Sequence, residues 1–314
     1  MQLLTEKDRR EQDERIKKRM SRIKYKFIVI SGKGGVGKTT VSINLAYGLA
    51  TRGHGVGILD VDIHGPNTPK MLGVESARLT FSEEGIEPID VLPNLKVVSL
   101  SLFGQVDEGP VIWRGPLKMG IIKQMLADVH WGDLDYMIVD SPPGTGDEPL
   151  SVCQLIPDIV GAIIVTTPQD VAILDSRKSV LFAQKLSVPV VGIIENMSGF
   201  ACPHCARQID LFGTGGGERA AQDLKVPFLG RIPIEPDIVK LSDSGEPFVH
   251  FRKGTATAGI LDEIIEKIIA HVRAKPPADR SDSSETSPAD QGRENAAPAR
   301  GPEREKRGSG PRRE

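Results

Sequence analysis

Hydrophobic and polar positions along this chain follow two periods in turn, and the switches between them mark its elements. Residues 26–30 (KFIVI) form an apolar run behind one lysine, which predicts a buried parallel strand. Residues 39–52 put Val41, Ile43, Leu45, Ala46, Leu49 and Ala50 on the apolar face of a helix. Short apolar runs at 57–61, 136–139, 161–166, 190–194 and 228–232 read as further strands. Strand and helix patterns alternate in this way to about residue 271, which predicts an α/β fold with a doubly wound, mostly parallel sheet. The stretch 78–100 has another texture: turn signals at Glu84-Gly85 and Leu92-Pro93-Asn94 separate short alternating runs and predict a small hairpin excursion. Residues 116–129 read as a helix with Pro116 near its first turn. Residues 260–272 read as another, with Ile260, Leu261, Ile264, Ile265, Ile268 and Ile269 packed on the core.

The two ends depart from this pattern. Residues 1–24 are dense in charge, with Ile16, Met20 and Ile23 at helical spacing, which predicts a leader helix docked on a domain of residues 25–275. Acids and bases are interspersed there, against a nucleic-acid arm. Residues 276–314 turn to Pro, Ser, Asp, Glu, Arg and Gly without periodicity. Too little apolar surface is present to offset the entropy of ordering them, so a disordered tail is expected.

Between the first strand and the first long helix lies Gly32-Lys33-Gly34-Gly35-Val36-Gly37-Lys38-Thr39. In that setting glycines let successive N–H groups turn inward around an anion, and the helix N-terminus adds its positive dipole end. This is a phosphate-binding loop. Lys38 is placed to neutralise β- and γ-phosphates, and the Thr39 hydroxyl to ligate Mg²⁺. Tyr136 to Asp140 is an apolar strand ending at a carboxylate and entering a stiff loop, Ser141-Pro142-Pro143-Gly144-Thr145. That layout predicts Asp140 holding Mg²⁺ through water and a loop, through Gly146-Asp147, that senses the γ-phosphate. Asp60 and Asp62 end another strand, and residues two apart in a strand share a side, so both carboxylates can face the phosphates. Asp60 is expected beside Mg²⁺ and its waters. His64-Gly65-Pro66-Asn67 is expected to form a first switch.

The second lysine of the loop, Lys33, has no task in an ordinary phosphate loop. KGGVGKTT with Asp60-Val61-Asp62 resembles the deviant Walker A class of P-loop NTPases, which includes MinD, ParA and the nitrogenase iron protein. The resemblance implies a homodimer in which Lys33 reaches the partner's nucleotide, and in which Asp62 positions or deprotonates the attacking water. Lys33, Lys38 and Asp62 are then the expected catalytic set. Nucleotide contacts are expected from Gly32, Lys33, Gly34, Gly35, Val36, Gly37, Lys38, Thr39, Thr40, Asp60, Asp140 and Asn196. The chain contains no N-K-x-D, by which guanine is commonly read, and has Glu195-Asn196-Met197-Ser198 at the corresponding place. ATP is therefore the expected nucleotide, with Asn196 bonding an adenine edge as the resemblance implies and the loop at Arg231-Ile232-Pro233 covering the base.

Cys202-Pro203-His204-Cys205 follows immediately. Two thiolates fill half of a tetrahedral metal site. If Lys33 implies a symmetric dimer, two copies meeting on the dyad supply four cysteines, enough for one shared 4Fe-4S cluster or one zinc. A redox or merely structural pair is the third reading. Cys153, in an apolar segment, is expected to be a small buried hydrophobe. The segments ILDVDIHGPNTPKMLG, VDSPPGTGDEPLS, ENMSGFACPHC and GTGGGERAAQ together resemble the Mrp/ApbC iron–sulfur cluster carriers over residues 23–275. That resemblance implies ATP hydrolysis serving cluster transfer, with Cys202 and Cys205 as Fe–S ligands and with apo iron–sulfur proteins and cluster scaffolds as partners. A MinD/ParA-like positioning ATPase and a zinc-bound regulatory ATPase are the alternatives.

Composition narrows the rest. With 314 residues, 39% hydrophobic and only 4% aromatic, the chain suits a buried sheet rich in Val, Ile and Leu. A net charge of −2 gives no global attraction to nucleic acid or to an anionic membrane. Three cysteines fit a reducing compartment, and no apolar run approaches the length of a membrane span, so a cytoplasmic protein is expected.

Overall fold

The computed structural model describes residues 5–62, 65, 67–103, 115–202, 204–205 and 207–274, with backbone only at 115–118 and 170. The chain opens with α1 (Glu6–Met20) and β1 (Ile23–Ile30), followed by α2 (Lys38–Ala50), β2 (Val56–Asp60) and α3 (Thr68–Met71). Four short strands come next: β3 (Thr80–Ser82), β4 (Gly85–Glu87), β5 (Ile89–Leu92) and β6 (Leu95–Ser99). Then follow α4 (Leu100–Phe103), α5 (Gly115–Ala127), β7 (Leu134–Asp140), α6 (Asp147–Leu155), β8 (Ile159–Thr166), α7 (Asp170–Lys185) and β9 (Val190–Glu195). The last third holds β10 (Phe200–Ala201), β11 (Gln208–Ile209), α8 (Gly216–Leu224), β12 (Phe228–Arg231), α9 (Pro236–Asp243), α10 (Phe248–Phe251) and α11 (Ala256–Ala274).

Eight strands form one sheet in the order β12-β9-β8-β1-β7-β2-β6-β5. All pairs are parallel except the edge pair β5–β6. Strand β1 sits between β7 and β8, so the loop after it opens at the point where the winding reverses, where such sheets bind ligands. One core layer packs α2 and α11 on the sheet through Leu45, Leu49, Ile264, Ile265 and Ile268. The other joins α1, α5 and α6 through Ile16, Met20, Ile122, Leu126 and Val152. Helices α7 and α8 close the remaining patch against β8 and β9.

The excursion expected at 78–100 is only half an excursion. Strands β3 and β4 do form a separate hairpin, but β5 and β6 extend the main sheet, β6 running parallel to β2 from Leu95 to Ser99. Their alternation is short because β5 is an edge strand, partly exposed, while β6 is buried by β2. The leader helix ends at Met20, and Ile23 opens β1 rather than continuing the helical face. A Thr5–Asp8 capping box starts α1, acidic residues stand in its first turn, and Lys17, Lys18 and Arg19 in its last, all favourable to the helix dipole. Lys26 is fully buried inside β1, and its Nζ donates to the carbonyls of Met20 and Ile23, both at 3.1 Å. A charge inside an apolar strand is thus bonded to the last carbonyl of α1 and the first of β1. Residues 276–314 and the switch residues His64 and Pro66 lie outside the described residues.

Candidate functional site

Parallel register sets the site. Asp60 ends β2 and Asp140 ends β7 as direct neighbours, while Val29 of β1 is level with Asp140. The loop after β1 therefore rises beside two carboxylates. Lys38, the first residue of α2, is 6% exposed and donates from Nζ to Asp140 Oδ1 at 2.8 Å, with Asp62 Oδ2 at 3.4 Å. Thr39 Oγ1 donates to Asp140 Oδ2 at 2.6 Å. Ser42, one turn along α2, donates to Asp140 Oδ1 at 2.8 Å. The loop itself is bent by positive φ at Gly35 (79°) and Gly37 (82°), conformations that glycine adopts without steric cost. Ser31 Oγ donates to the Lys33 carbonyl at 3.0 Å, and Gly144 N to the Ser31 carbonyl at 2.8 Å. The phosphate loop and the loop after Asp140 are thereby tied together.

Asp60 is fully buried. Its Oδ1 accepts from Asp62 N at 3.1 Å and its Oδ2 from Ser99 Oγ at 2.9 Å. Burial, then repulsion from Asp140, pushes its carboxyl up to about 7, against the pull of those two donors and of Lys38. Thr39, whose hydroxyl is expected to ligate magnesium, is bonded to Asp140, so these two residues together present the magnesium position. The donor set fits such an ion: a hydroxyl and a carboxylate are hard oxygen ligands, and Asp62 with Asp140 leaves one lysine outnumbered by acids.

Asn196 stands just past the end of β9, 6% exposed, and its amide donates to the Val36 carbonyl at 2.9 Å. A Cβ at Gly37 would collide with that amide nitrogen, so the glycine is what lets Asn196 reach the loop. The residue expected to bond an adenine edge is thus tied to the phosphate loop. Lys33 Nζ reaches Gln169 Oε1 of its own chain at 3.5 Å, at the start of α7. Gly32 is pressed against α7, where a Cβ would come within 2.5 Å of Asp175.

Strands β10 and β11 form a two-stranded antiparallel hairpin, and Cys202 and Cys205 sit in its connection. Cys202 N donates to the Arg207 carbonyl at 3.0 Å, closing the turn. Its thiol lies below the ordinary range, held there by the backbone N–H of His204, then by the backbone and thiol of Cys205. That arrangement favours thiolate, the metal-binding form. Cys202 is partly exposed and Cys205 exposed. Among the described residues no group of three or more His, Cys, Asp or Glu side chains converges on a metal position. The two thiols therefore have no third protein ligand in their own chain among those residues. Cys153 is buried on α6, and burial raises its thiol to about 11, as befits a small apolar filler.

Three contributors are absent from the sequence-based set. Ser42 lies four residues after Lys38 and was legible as the next position on that helix face. Ser99 was hidden because its strand, β6, reads as part of the excursion. Glu195 adjoins Asn196 in the quoted motif, yet nothing in the pattern told it from a surface acid. In the structure it is fully buried.

A glycine-bent loop between parallel strand and helix, a lysine and threonine on a strand-end aspartate, and a second aspartate in reach define a P-loop NTPase. Comparison with known proteins is consistent in every direction. The family model for the ParA-type, NUBPL iron-transfer P-loop NTPases matches residues 22–269. An iron-sulfur cluster carrier protein of Methanocaldococcus jannaschii is 51% identical over 260 residues, covering 82% of this chain and 90% of the relative. That of Saccharolobus solfataricus is 45% identical, covering 83% and 88%. Among solved structures, a nucleotide-binding protein of Archaeoglobus fulgidus in complex with ADP superposes with TM-score 0.66 at 41% identity, over 74% of this chain and 91% of that one. MinD of Pyrococcus horikoshii with Mg-ADP shares the fold alone, with TM-score 0.58 at 24% identity, over 80% and 99%. The chain belongs to the family of NUBPL-type iron-transfer P-loop NTPases. Among the described residues no helix is long and apolar enough to cross a membrane.

Proposed function

We propose that two copies of this chain hold an iron–sulfur cluster between their Cys202 and Cys205 pairs and pass it to apo iron–sulfur proteins, under the control of ATP binding and hydrolysis. The observation that carries this reading is the hairpin. It presents two thiols, one drawn toward thiolate, with half of a tetrahedral ligand set, and a second copy completes the set. Exposed apolar side chains stand on the segments such a partner would cover. Val171 and Leu174, 67% and 60% exposed, lie in the first turns of α7 beside Gln169, and Leu211 and Phe212, 56% and 44%, follow β11. Lys33, on the same side as Gln169, is the residue proposed to reach the partner's nucleotide. The names of the relatives support the cargo, and three free cysteines support a cytoplasmic, reducing setting.

In the proposed reaction the loop N–H groups from Gly32 to Thr40 receive the phosphates and Lys38 leaves its carboxylates to follow the β- and γ-oxygens. Thr39 and Asp140 would hold Mg²⁺, which neutralises charge on those oxygens. Asp62 orients the attacking water and accepts its proton as the bond from phosphorus to the β–γ bridging oxygen breaks. Asn196 lies beside the adenine in this reading. Departure of the γ-phosphate frees the loop of residues 140–147, already bonded to Ser31 of the phosphate loop, to change conformation.

Anaerobic reconstitution with iron and sulfide, followed by visible absorption and Mössbauer spectroscopy, tests the cargo site. The wild-type chain is expected to take up a cluster and Cys202→Ala to take up none. A Cys202→Ala protein with full cluster content, or zinc as the metal in protein purified without oxygen, would overturn the reading.

A further inference from the structure

The buried carboxylate of Glu195 has no place in the reaction above, yet it is the most heavily bonded acid in the described structure outside the phosphate site. Its Oε1 accepts from the Ser198 hydroxyl, from Gly215 N at 2.8 Å and from Arg231 Nε at 3.1 Å. Its Oε2 accepts from Gly217 N at 2.5 Å. Ser198 precedes the cysteine hairpin and Gly215 follows it, so one oxygen gathers both roots of the segment that carries Cys202 and Cys205. Burial disfavours the charge, but the Ser198 hydroxyl, the two glycine amides and Arg231 together hold the carboxyl below its ordinary value. The fit is close: a Cβ at Gly217 would stand 3.0 Å from the Cβ of Glu195. Backbone bonds complete the root, Ser198 N to the Ile232 carbonyl at 2.9 Å and Ile234 N to the Gly199 carbonyl at 2.8 Å.

The next residue faces the other way. Successive side chains along an extended strand point to opposite sides, and Asn196 is bonded to Val36 and packed on Gly37 of the phosphate loop. Two adjacent residues at the end of one strand therefore grip the phosphate loop and the hairpin root respectively. We propose that Glu195 is a positioning residue for the cysteine pair, and that Glu195 with Asn196 is the link through which occupancy of the phosphate loop alters the pose of Cys202 and Cys205. This rests on the reading of the hairpin as the cargo site. A nucleotide that shifts Val36 and Gly37 moves the carbonyl to which Asn196 is bonded, and the end of β9 can follow only by taking the Ser198 and Gly215 anchors with it.

The test needs no cluster, so it fails separately from the cargo reading. In metal-free, reduced, full-length protein, alkylation rates of Cys202 and Cys205 are read by peptide mass spectrometry without nucleotide, with ADP, and with a non-hydrolysable ATP analogue and Mg²⁺. The wild-type rates are expected to change about fivefold or more with nucleotide, the lower end of ordinary site-to-site coupling. In Glu195→Gln an amide group replaces one of the accepting oxygens, so at least one N–H or O–H loses its acceptor. The nucleotide-dependent ratio is expected to fall below about twofold while nucleotide affinity stays within about twofold of wild type. A merely structural role would change absolute rates and leave the ratio. Should Glu195→Gln fail to fold, Ser198→Ala removes one anchor without touching the charge, and its ratio is expected to fall between the two. A wild-type ratio in either variant, or no nucleotide response in the wild-type chain, overturns the proposal. Iron and sulfide content after reconstitution judges the cargo site independently.

Discussion

Replacing Asp60 by asparagine is expected to stabilise the nucleotide-free protein at neutral and alkaline pH. Asp60 is fully buried beside Asp140, and its carboxyl is pushed from 3.8 up to about 7, by burial first and Asp140 second. A carboxyl with a raised folded value binds more protons folded than unfolded between the two values. Its contribution to stability is whole below 3.8 and is lost as pH climbs to about 7. At about 1.36 kcal/mol per unit the loss at pH 8 is of the order of 4 kcal/mol. The substituted amide would carry no charge, could still accept from Asp62 N, and could donate to Ser99, whose hydroxyl can turn to accept, so both hydrogen bonds survive. Asp60→Asn should therefore gain on the order of 4 kcal/mol at pH 8, roughly 8 °C in Tm, and less than about 2 kcal/mol at pH 5. The assay is urea and thermal unfolding in EDTA from pH 4 to pH 8. An Asp60→Asn protein no more stable than wild type at pH 8, or a gain that does not shrink toward pH 4, would refute the reasoning and show Asp60 to be comfortably ionised.

Three other substitutions probe separate links. Gly37→Ala forces a φ of +82° on a residue with a Cβ and drives that Cβ into Asn196, so nucleotide affinity by calorimetry should fall tenfold or more, with about 2 kcal/mol of stability. Asp62→Asn should leave nucleotide binding within a fewfold of wild type and slow phosphate release on the order of a hundredfold or more. Met20→Ala removes a fully buried side chain that ties α1 to the second core layer, and urea unfolding should show a loss of about 2–5 kcal/mol with the phosphate site intact.

Much of the central sheet was legible because its strands are buried on both faces and stand out as apolar runs closed by a functional residue. The β1 loop, Asp140 and the α2 face follow from period and chain order alone. Strands β5 and β6 were not legible, since an edge pair joined by a tight turn reads the same whether it stands apart or joins a sheet; only the register of β6 against β2 decides. The limit at the site was of the same kind. Ser99 reaches Asp60 across that unforeseen pairing, and Glu195 is set apart from surface acids by donors from residues 198, 215, 217 and 231, which no local pattern brings together. The first strand, read from residue 26, begins three residues earlier, with the Lys26 ammonium folded inward onto the end of α1.

Sedimentation velocity of the anaerobically reconstituted protein, followed at once by protein absorbance and by the visible band of the cluster, tests the shared-cargo claim most directly. The account predicts that all visible absorbance travels with a species of two 34.0 kDa chains, carrying about four iron and four sulfide per pair, and that Cys205→Ser removes both the band and the metal. Cluster absorbance travelling with single chains, or a metal-loaded dimer that persists without Cys205, would contradict it.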